Sequence, residues 1–484
     1  MQTEYKRTYV KPSELIIYGV ANGGQCMSWN IISGYITYFF VNVFNIDARI
    51  VSAMLFIEGI WDTVNDPIMG SVIDRTRTRY GKLKPYLIFV PIPLAITTVA
   101  LFAGPVLLGN LDPDAPQKVA YMVITYFVWE FFYTIGDVPF WGMSACISPN
   151  TDDRTKAISG ARFISSIVGG IPGLAIPILL DLVNAKLINT SLRTVFLYLG
   201  TFTGIAGMGL FMLSGIFVKE RVVQASDAPS FSQCLKSLYT NKPLRLLILK
   251  DVLGTLGNIG GPFSTYYTVD VLGSASSSLI TGIPWTIMNF AGYAMIPFFK
   301  RLMDNRRLII FTKSVGVVQA VLKYLICIGN KRYTRLSFMM PYIALEGIIG
   351  GVMGSLNGVI PPEMIGETVD YSEWTTGQRS EGISFSVLTF VGKFSGSISR
   401  AIGTWLIPVI GYKTSNTSAF VKQSAKTKRL IFAMTTIVPQ LLGLVSFIPM
   451  FMYDLVGGKR DRMYSELVQM RAQRARESDL KTAP

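Results

Sequence analysis

In the stretch AMLFIEGIWDTVNDPIMG, the residues Glu58, Asp62, Asn65 and Asp66 stand at offsets 0, 4, 7 and 8. At about 100° per residue they point at roughly 0°, 40°, −20° and 80°, which is one face of a helix. Two carboxylates one turn apart, with an amide oxygen between them, are hard donors suited to a bare alkali cation; without one they repel, or one takes a proton. The pattern therefore serves Na+, Li+ or H+, with Na+ held at Asp62 and Asp66. The structural alternative is that these acids pair with basic residues on a neighbouring helix. A second stretch, YFVWEFFYTIGDVPFW, places Tyr126, Glu130, Tyr133, Asp137 and Trp141 at offsets 0, 4, 7, 11 and 15. They share an arc of about 80° if the helix stays regular past Pro139. An acid beside aromatic faces can hydrogen-bond sugar hydroxyls while a ring stacks on the apolar face of a pyranose. An aromatic packing stripe accounts for Tyr126 and Tyr133 equally well, but not for Asp137. Arg162 and Lys393 are positive charges that could answer these acids; a lysine that shares its acidic partner with an arriving cation is a coupling device, and simple neutralisation is the alternative.

These charges are set in apolar runs. Of 484 residues 50% are hydrophobic and 15% charged, with a mean hydropathy of +0.41, against roughly 25% charged in a soluble domain. That balance excludes a water-soluble globule, a coiled coil and a disordered tail, and indicates a membrane protein. The net charge of +15 sits in short basic clusters between apolar runs, which points to anionic lipid as partner and not to nucleic acid. There is no histidine, so histidine triads and histidine-ligated metals are excluded. Cys26, Cys146, Cys234 and Cys327 form no close-spaced pair, which argues against disulfides and thiolate metal sites. With no nucleotide-binding loop either, the chain is expected not to be an enzyme and to need no cofactor beyond a coupling ion.

A spanning helix needs about 20 mostly apolar residues, and twelve windows qualify, at about 14–43, 50–73, 86–108, 119–147, 157–184, 194–218, 244–270, 277–299, 308–329, 336–361, 382–411 and 429–453. The first is too long for the core of a cleaved signal peptide and is expected to stay as a span. The expected organisation is an N-terminal tail at 1–13, a six-helix half at 14–218, a middle loop at 219–243, a second half at 244–453 and a basic tail at 454–484. If both termini are cytoplasmic, the inner segments hold 27 Lys and Arg and the outer ones 12, which favours that orientation in a cell membrane. The loop DRTRTRYGKLKPY reads as an inner-face charge latch. The tail KRDRMYSELVQMRAQRAR reads most simply as a basic helix on the anionic leaflet. Six plus six spans with a long middle loop is the pattern of the major facilitator fold, an all-α membrane architecture that binds substrate near mid-membrane between its halves.

The run WDTVNDPIMGSVIDRTRTRYGKLKPYL (Trp61 to Leu87) and YTIGDVPFW (Tyr133 to Trp141) resemble the glycoside-pentoside-hexuronide:cation symporters. NKPLRLLIL, STYYTVDVLG and ETVDYSEWTTGQRSEGISFSVLTFVGKF continue the resemblance over nearly the whole chain. It implies cation-coupled import of a sugar by a monomer. It also implies a cation site at Asp62, Asn65, Asp66 and Thr134, with coupling through Lys393. Sugar contacts fall on Asp137, Trp141 and Arg162, with Tyr133 beside them, and a cytoplasmic gate on Asp74, Arg75, Asp370, Arg379 and Glu381. The first helix departs from the pattern: where melibiose permease-like members carry a lysine and then an aspartate, IIYGVANGGQCMSWN has Gln25 and Cys26. An α-galactoside is therefore not implied, although Asn22, Gln25 and Asn30 offer amides to hydroxyls. The additional acids Glu58 and Glu130 would reshape the pocket or supply a proton site. The rival readings are a proton-coupled or exchange carrier for another metabolite, and a membrane sensor that binds a solute without moving it.

Overall fold

The computed structural model describes residues 9–148, 151–221, 241–376, 381–414 and 422–482, and every regular element among them is helical. In hydrocarbon each backbone N–H and C=O must be satisfied within its own segment, so apolar runs of this length become helices. The first run is α1 (Pro12–Tyr38) with a π-turn at Phe39–Val43, followed by α2 (Ala48–Arg75). Next come α3 (Lys84–Phe89) with α4 (Pro91–Leu108), α5 (Pro116–Cys146), and α6 (Thr151–Val168) with α7 (Ile171–Asn184). α8 (Leu192–Phe202) continues through a π-turn into α9 (Met208–Phe217), and α10 (Lys242–Gly254) continues through a 3-10 turn into α11 (Phe263–Tyr266). Then follow α12 (Ser277–Leu302), α13 (Asn305–Ile328), α14 (Leu336–Thr376) and α15 (Glu381–Val409). The broken run α16 (Ala425–Thr435), α17 (Ile437–Gly443) and α18 (Phe447–Met452) precedes a tail helix, α19 (Gly457–Thr482). Starts are marked by proline in the first turn of α1 and α5, where a missing N–H costs nothing. Elsewhere side-chain caps do this work: Asp47 accepts from the Arg49 N–H at 2.7 Å, and Asp304 from that of Arg307 at 2.8 Å.

Eight helical segments among the described residues are long and apolar enough to cross a membrane. α1, α2, the α10–α11 run and α15 are outside that set. Three of these, α1, α2 and α15, carry Gln25, Asp62, Asp66 and Lys393. One expected boundary moves: the tenth span, placed at 336–361, runs as α14 to Thr376, through Pro361 and Pro362. Proline removes N–H groups there, but Met364, Ile365 and Val369 beyond it are buried, and Asn241 donates to the Thr368 carbonyl at 2.7 Å. Packing holds the helix that propensity alone would end.

Contacts divide the chain into two compact units. The first comprises Met1–Asp227, Pro262–Leu279 and Arg400–Ile431; the second comprises Ala228–Gly261, Ile280–Ser399 and Phe432–Pro484. In the first, α1 packs on α6 and α9. A Cβ on Gly23 would stand 2.5 Å from that of Val168, and one on Gly24 would stand 2.2 Å from the Gly207 carbonyl oxygen, so this approach requires glycine. Phe39, Phe102 and Phe196 close the interior around the end of α1. The fully buried Lys118 donates to the Asn45 carbonyl at 3.0 Å and the Leu111 carbonyl at 3.3 Å. The expected latch loop is held by Glu220, which accepts the N–H groups of Lys82, Leu83 and Lys84 at 3.0, 2.8 and 2.8 Å. Arg221 grips Glu14 through both guanidinium nitrogens at 2.9 and 2.8 Å, and those hydrogen bonds lift its pKa above the ordinary value.

The second unit centres on Leu247, Leu308, Ile360, Met364 and Met450, and α19 joins this core through Met463 and Leu467, at 0% and 1% exposure. Arg460 pairs with Glu367 at 2.9 Å, and Trp374 donates its indole N–H to Glu466 at 2.7 Å. The apolar stripe of the tail helix is used against α14 and its neighbours, where it buries two large side chains.

Candidate functional site

α2 is helical without interruption from Ala48 to Arg75, so the helical period brings Glu58, Asp62, Asn65 and Asp66 to one face as expected. α2 packs on α5, which carries Thr134. Asn65 and Thr134 are both 2% exposed, whereas Asp62 and Asp66 are half-buried. The Asn65 Nδ2 meets no hydrogen-bond partner, so this amide is a buried polar group with capacity left over. Among the described residues no three or more His, Cys, Asp or Glu groups converge as metal ligands. Two carboxylates with neutral amide and hydroxyl oxygens would suit a monovalent ion better than a divalent one.

Beside it, α1 and α5 build a wall of rings. Trp29 stacks on Tyr133 at 5.1 Å between centroids, and Trp129 stacks on Tyr133 at 5.0 Å. The Trp129 indole N–H donates to Thr98 Oγ1 at 3.0 Å. Gln25 Nε2 donates to Asp137 Oδ1 at 2.7 Å, while Gln25 Oε1 is buried without a partner. The Arg162 guanidinium lies over the Trp141 ring at 5.2 Å. The site thus offers stacking faces, an acceptor carboxylate, an orphan amide oxygen and a guanidinium, a set that matches a hydroxyl-rich ring.

Several expectations change here. Asn22 and Asn30 donate to the carbonyls of Ala161 (3.4 Å) and Gly169 (2.7 Å), so each gives an amide N–H to fastening α1 to its neighbours. Cys26 Sγ is 3.8 Å from Asn22 Oδ1 and is half-buried. Trp29 and Trp129 were not singled out from the sequence. Trp29 follows Gln25 by four residues, one turn on the same face, and that spacing was the available signal. Lys393 and Asp370 are half-buried in the second unit. Arg75 is exposed at the end of α2, while the Asp74 and Glu381 side chains and all of Arg379 lie outside the described residues.

A profile of the family described as MFS/sugar transport protein matches residues 17–457. The chain belongs to that family. Relatives include the inner membrane symporter YicJ of Escherichia coli (strain K12), 27% identical over 448 residues and covering 92% of each chain. The isoprimeverose transporter of Lactiplantibacillus pentosus is 25% identical, covering 95% of this chain and 92% of its own. The putative glycoside/cation symporter YagG of Escherichia coli (strain K12) is 25% identical, covering 96% of both. Among solved structures the nucleoside transporter NupG superposes with a TM-score of 0.58 at 15% identity, over 91% of this chain and 97% of that one. The D-xylose–proton symporter gives 0.55 at 14% identity, over 92% and 97%. At these identities the two structures bear on the fold alone, and the fold is that of the major facilitator transporters.

Proposed function

We propose that this transporter carries a sugar across the cell membrane together with a monovalent cation. The observation that carries the reading is the α2–α5 pair: Asp62, Asn65, Asp66 and Thr134 supply alkali-ion donors on the two helices. On α5 the same helix continues to Tyr133, Asp137 and Trp141, which face Gln25, Trp29 and Arg162. Relatives named as symporters and sugar carriers support the same reading. Binding of Na+ between Asp62 and Asp66 relieves the repulsion of two like charges and steadies α2 against α5, so that the wall on α5 is organised for the sugar. Two six-helix halves, 14–218 and 244–453, then rock about the filled site, with Asp74, Arg75, Asp370, Arg379 and Glu381 as the cytoplasmic gate and Lys393 exchanging partners as the ion arrives. In this reading the functional unit is a monomer and both termini are cytoplasmic.

The test is calorimetric Na+ binding to purified protein at fixed pH, in wild type and in Asp66→Asn. Saturable binding that vanishes in the variant supports the site. If wild type binds no Na+ while a pH gradient drives uptake, the second reading stands, a proton-coupled carrier using the same acids. The buried Glu58 and Glu130 favour that alternative.

A further inference from the structure

Two helical runs of the second unit are broken where they meet. α10 gives way to a 3-10 turn at Thr255–Asn258, and the run from α16 to α18 breaks at Thr436 and again in a 3-10 turn at Leu444–Ser446. Between those two breaks, α17 packs on the first turn and on α13. A Cβ on Gly257 would stand 3.2 Å from the Gly443 Cα, and one on Gly260 would stand 2.4 Å from the Met434 carbonyl oxygen, so this approach requires glycine. Irregular backbone at membrane depth is tolerated where it is buried in protein or lines a cavity. Here it lines one: Gly257, Asn258, Gly443 and Phe447 surround a cavity together with Lys313 and Gln440. All of these residues belong to the second unit.

Lys313 stands eight residues into α13, about 12 Å along its axis. Gln440 reaches across from α17, its Oε1 3.4 Å from where a Cβ on Gly316 would lie, one turn on from Lys313. Among the described residues the side chains of Lys313, Asn258 and Gln440 make no hydrogen bond and no ion pair. Lys250 and Asp251 of α10 are the charges that act on Lys313, and they are paired with each other at 2.7 Å, which leaves the cavity one positive charge in surplus. An ammonium inside a span is costly and is retained for a partner or for work. It brings three donors and no acceptor, and each amide adds two N–H groups. That lining suits an anion, and a charge-assisted hydrogen bond to a carboxylate is the strongest contact open to it. Secondary transporters commonly place substrate groups at such helix breaks. We propose that this cavity is a carboxylate subsite, with Lys313 as its counter-charge and Asn258 and Gln440 as its amide donors, so that the sugar carried is an acidic one. This rests on the sugar reading above and narrows it.

The experiment is calorimetric binding to the purified full-length protein at pH 7 in saturating Na+, with acid and neutral sugars as matched probes: D-glucuronate against D-glucose, and D-galacturonate against D-galactose. In wild type at least one acid binds more tightly than its neutral partner by about 10-fold or more, the size expected of a hydrogen bond to a charged group. Lys313→Gln brings that pair within about 3-fold, and Lys313→Arg, which keeps the charge, retains the preference. Should Lys313→Gln not fold, Lys313→Met removes the charge while keeping the aliphatic stem in place. The proposal is overturned if wild type prefers neither acid, binding of no probe included, or if the preference survives removal of the Lys313 charge. Inorganic phosphate is the remaining probe; displacement of the acid by phosphate at equal concentration would make the cavity a general anion site and defeat the carboxylate assignment. Trp29→Ala judges the sugar reading separately. If it leaves the affinity for the acid unchanged while the preference still depends on Lys313, the carboxylate subsite stands and the sugar wall fails.

Discussion

Gln25 stands where a charged pair is expected in melibiose permease-like first helices, and its geometry shows what an amide can do in that place. It gives one N–H to Asp137 at 2.7 Å and keeps a buried oxygen for an incoming O–H. A neutral hydrogen bond contributes about 0.5–1.5 kcal/mol, so Gln25→Leu is expected to raise the sugar KM by roughly 2- to 10-fold while the maximal rate changes little. Radiolabelled uptake into proteoliposomes measures both; a change confined to the maximal rate would place Gln25 outside the sugar contacts. Trp29→Phe should keep most of the affinity, because the stacking face on Tyr133 persists, and Trp29→Ala should lose it. Equal loss in the two variants would assign the indole N–H, not the ring face, as the determinant. Residue types and helical spacing placed Asp62, Asn65 and Asp66 on one face of a helix in advance. The hydrogen bond from Gln25 to Asp137 was not legible, because the two lie on different helices and local spacing carries no record of which helices meet.

At the scale of elements, α19 gives the sharpest contrast between pattern and packing. Its composition reads as a basic surface helix, yet Met463 and Leu467 complete the core of the second unit. Truncating a buried large aliphatic side chain costs about 2–5 kcal/mol, so Leu467→Ala is expected to lower the melting temperature clearly. Val468→Ala, one residue on and 66% exposed, should leave it near wild type. Equal effects would mean that the helix is not docked. The start of the tail is tied by Asp454, which accepts from Lys459 at 2.9 Å and Lys242 at 3.0 Å. Partial burial pushes its carboxyl pKa up, but the hydrogen bonds and charges of Lys459 and Lys242 outweigh this and hold it below the ordinary value. A depressed folded-state pKa means that its contribution is present above the unfolded value and is lost as pH falls through the lowered one. Acid melting curves of Asp454→Asn should therefore converge on wild type at low pH and diverge towards neutrality. A constant offset at every pH would show that the carboxylate charge is not involved.

For the molecule as a whole, cation and sugar acting through one pair of helices must be linked reciprocally. Na+ should tighten sugar binding by the same factor by which sugar tightens Na+ binding, typically about 5–150-fold. Two calorimetric titrations, each with the other ligand saturating, give the two factors. A ratio of one in both would show that the sites are uncoupled, and the symport reading would fail.

The sequence by itself determined that the chain is a helical membrane protein, because hydrocarbon demands apolar runs of a set length and tolerates few charges within them; its sugar-carrying type was implied by the resemblance of its motifs to a family. It also determined which residues share a face of α2 and of α5, since 3.6 residues per turn is a local rule. Only the tertiary structure decided that Asn22 and Asn30 serve packing while Gln25 serves Asp137, that Trp29 joins Trp129 and Tyr133, and that α14 runs on past Pro361 and Pro362. Each of these depends on how closely one helix approaches another, and that approach is set by small residues such as Gly23 and Gly24 and by the shapes of side chains far apart in the chain.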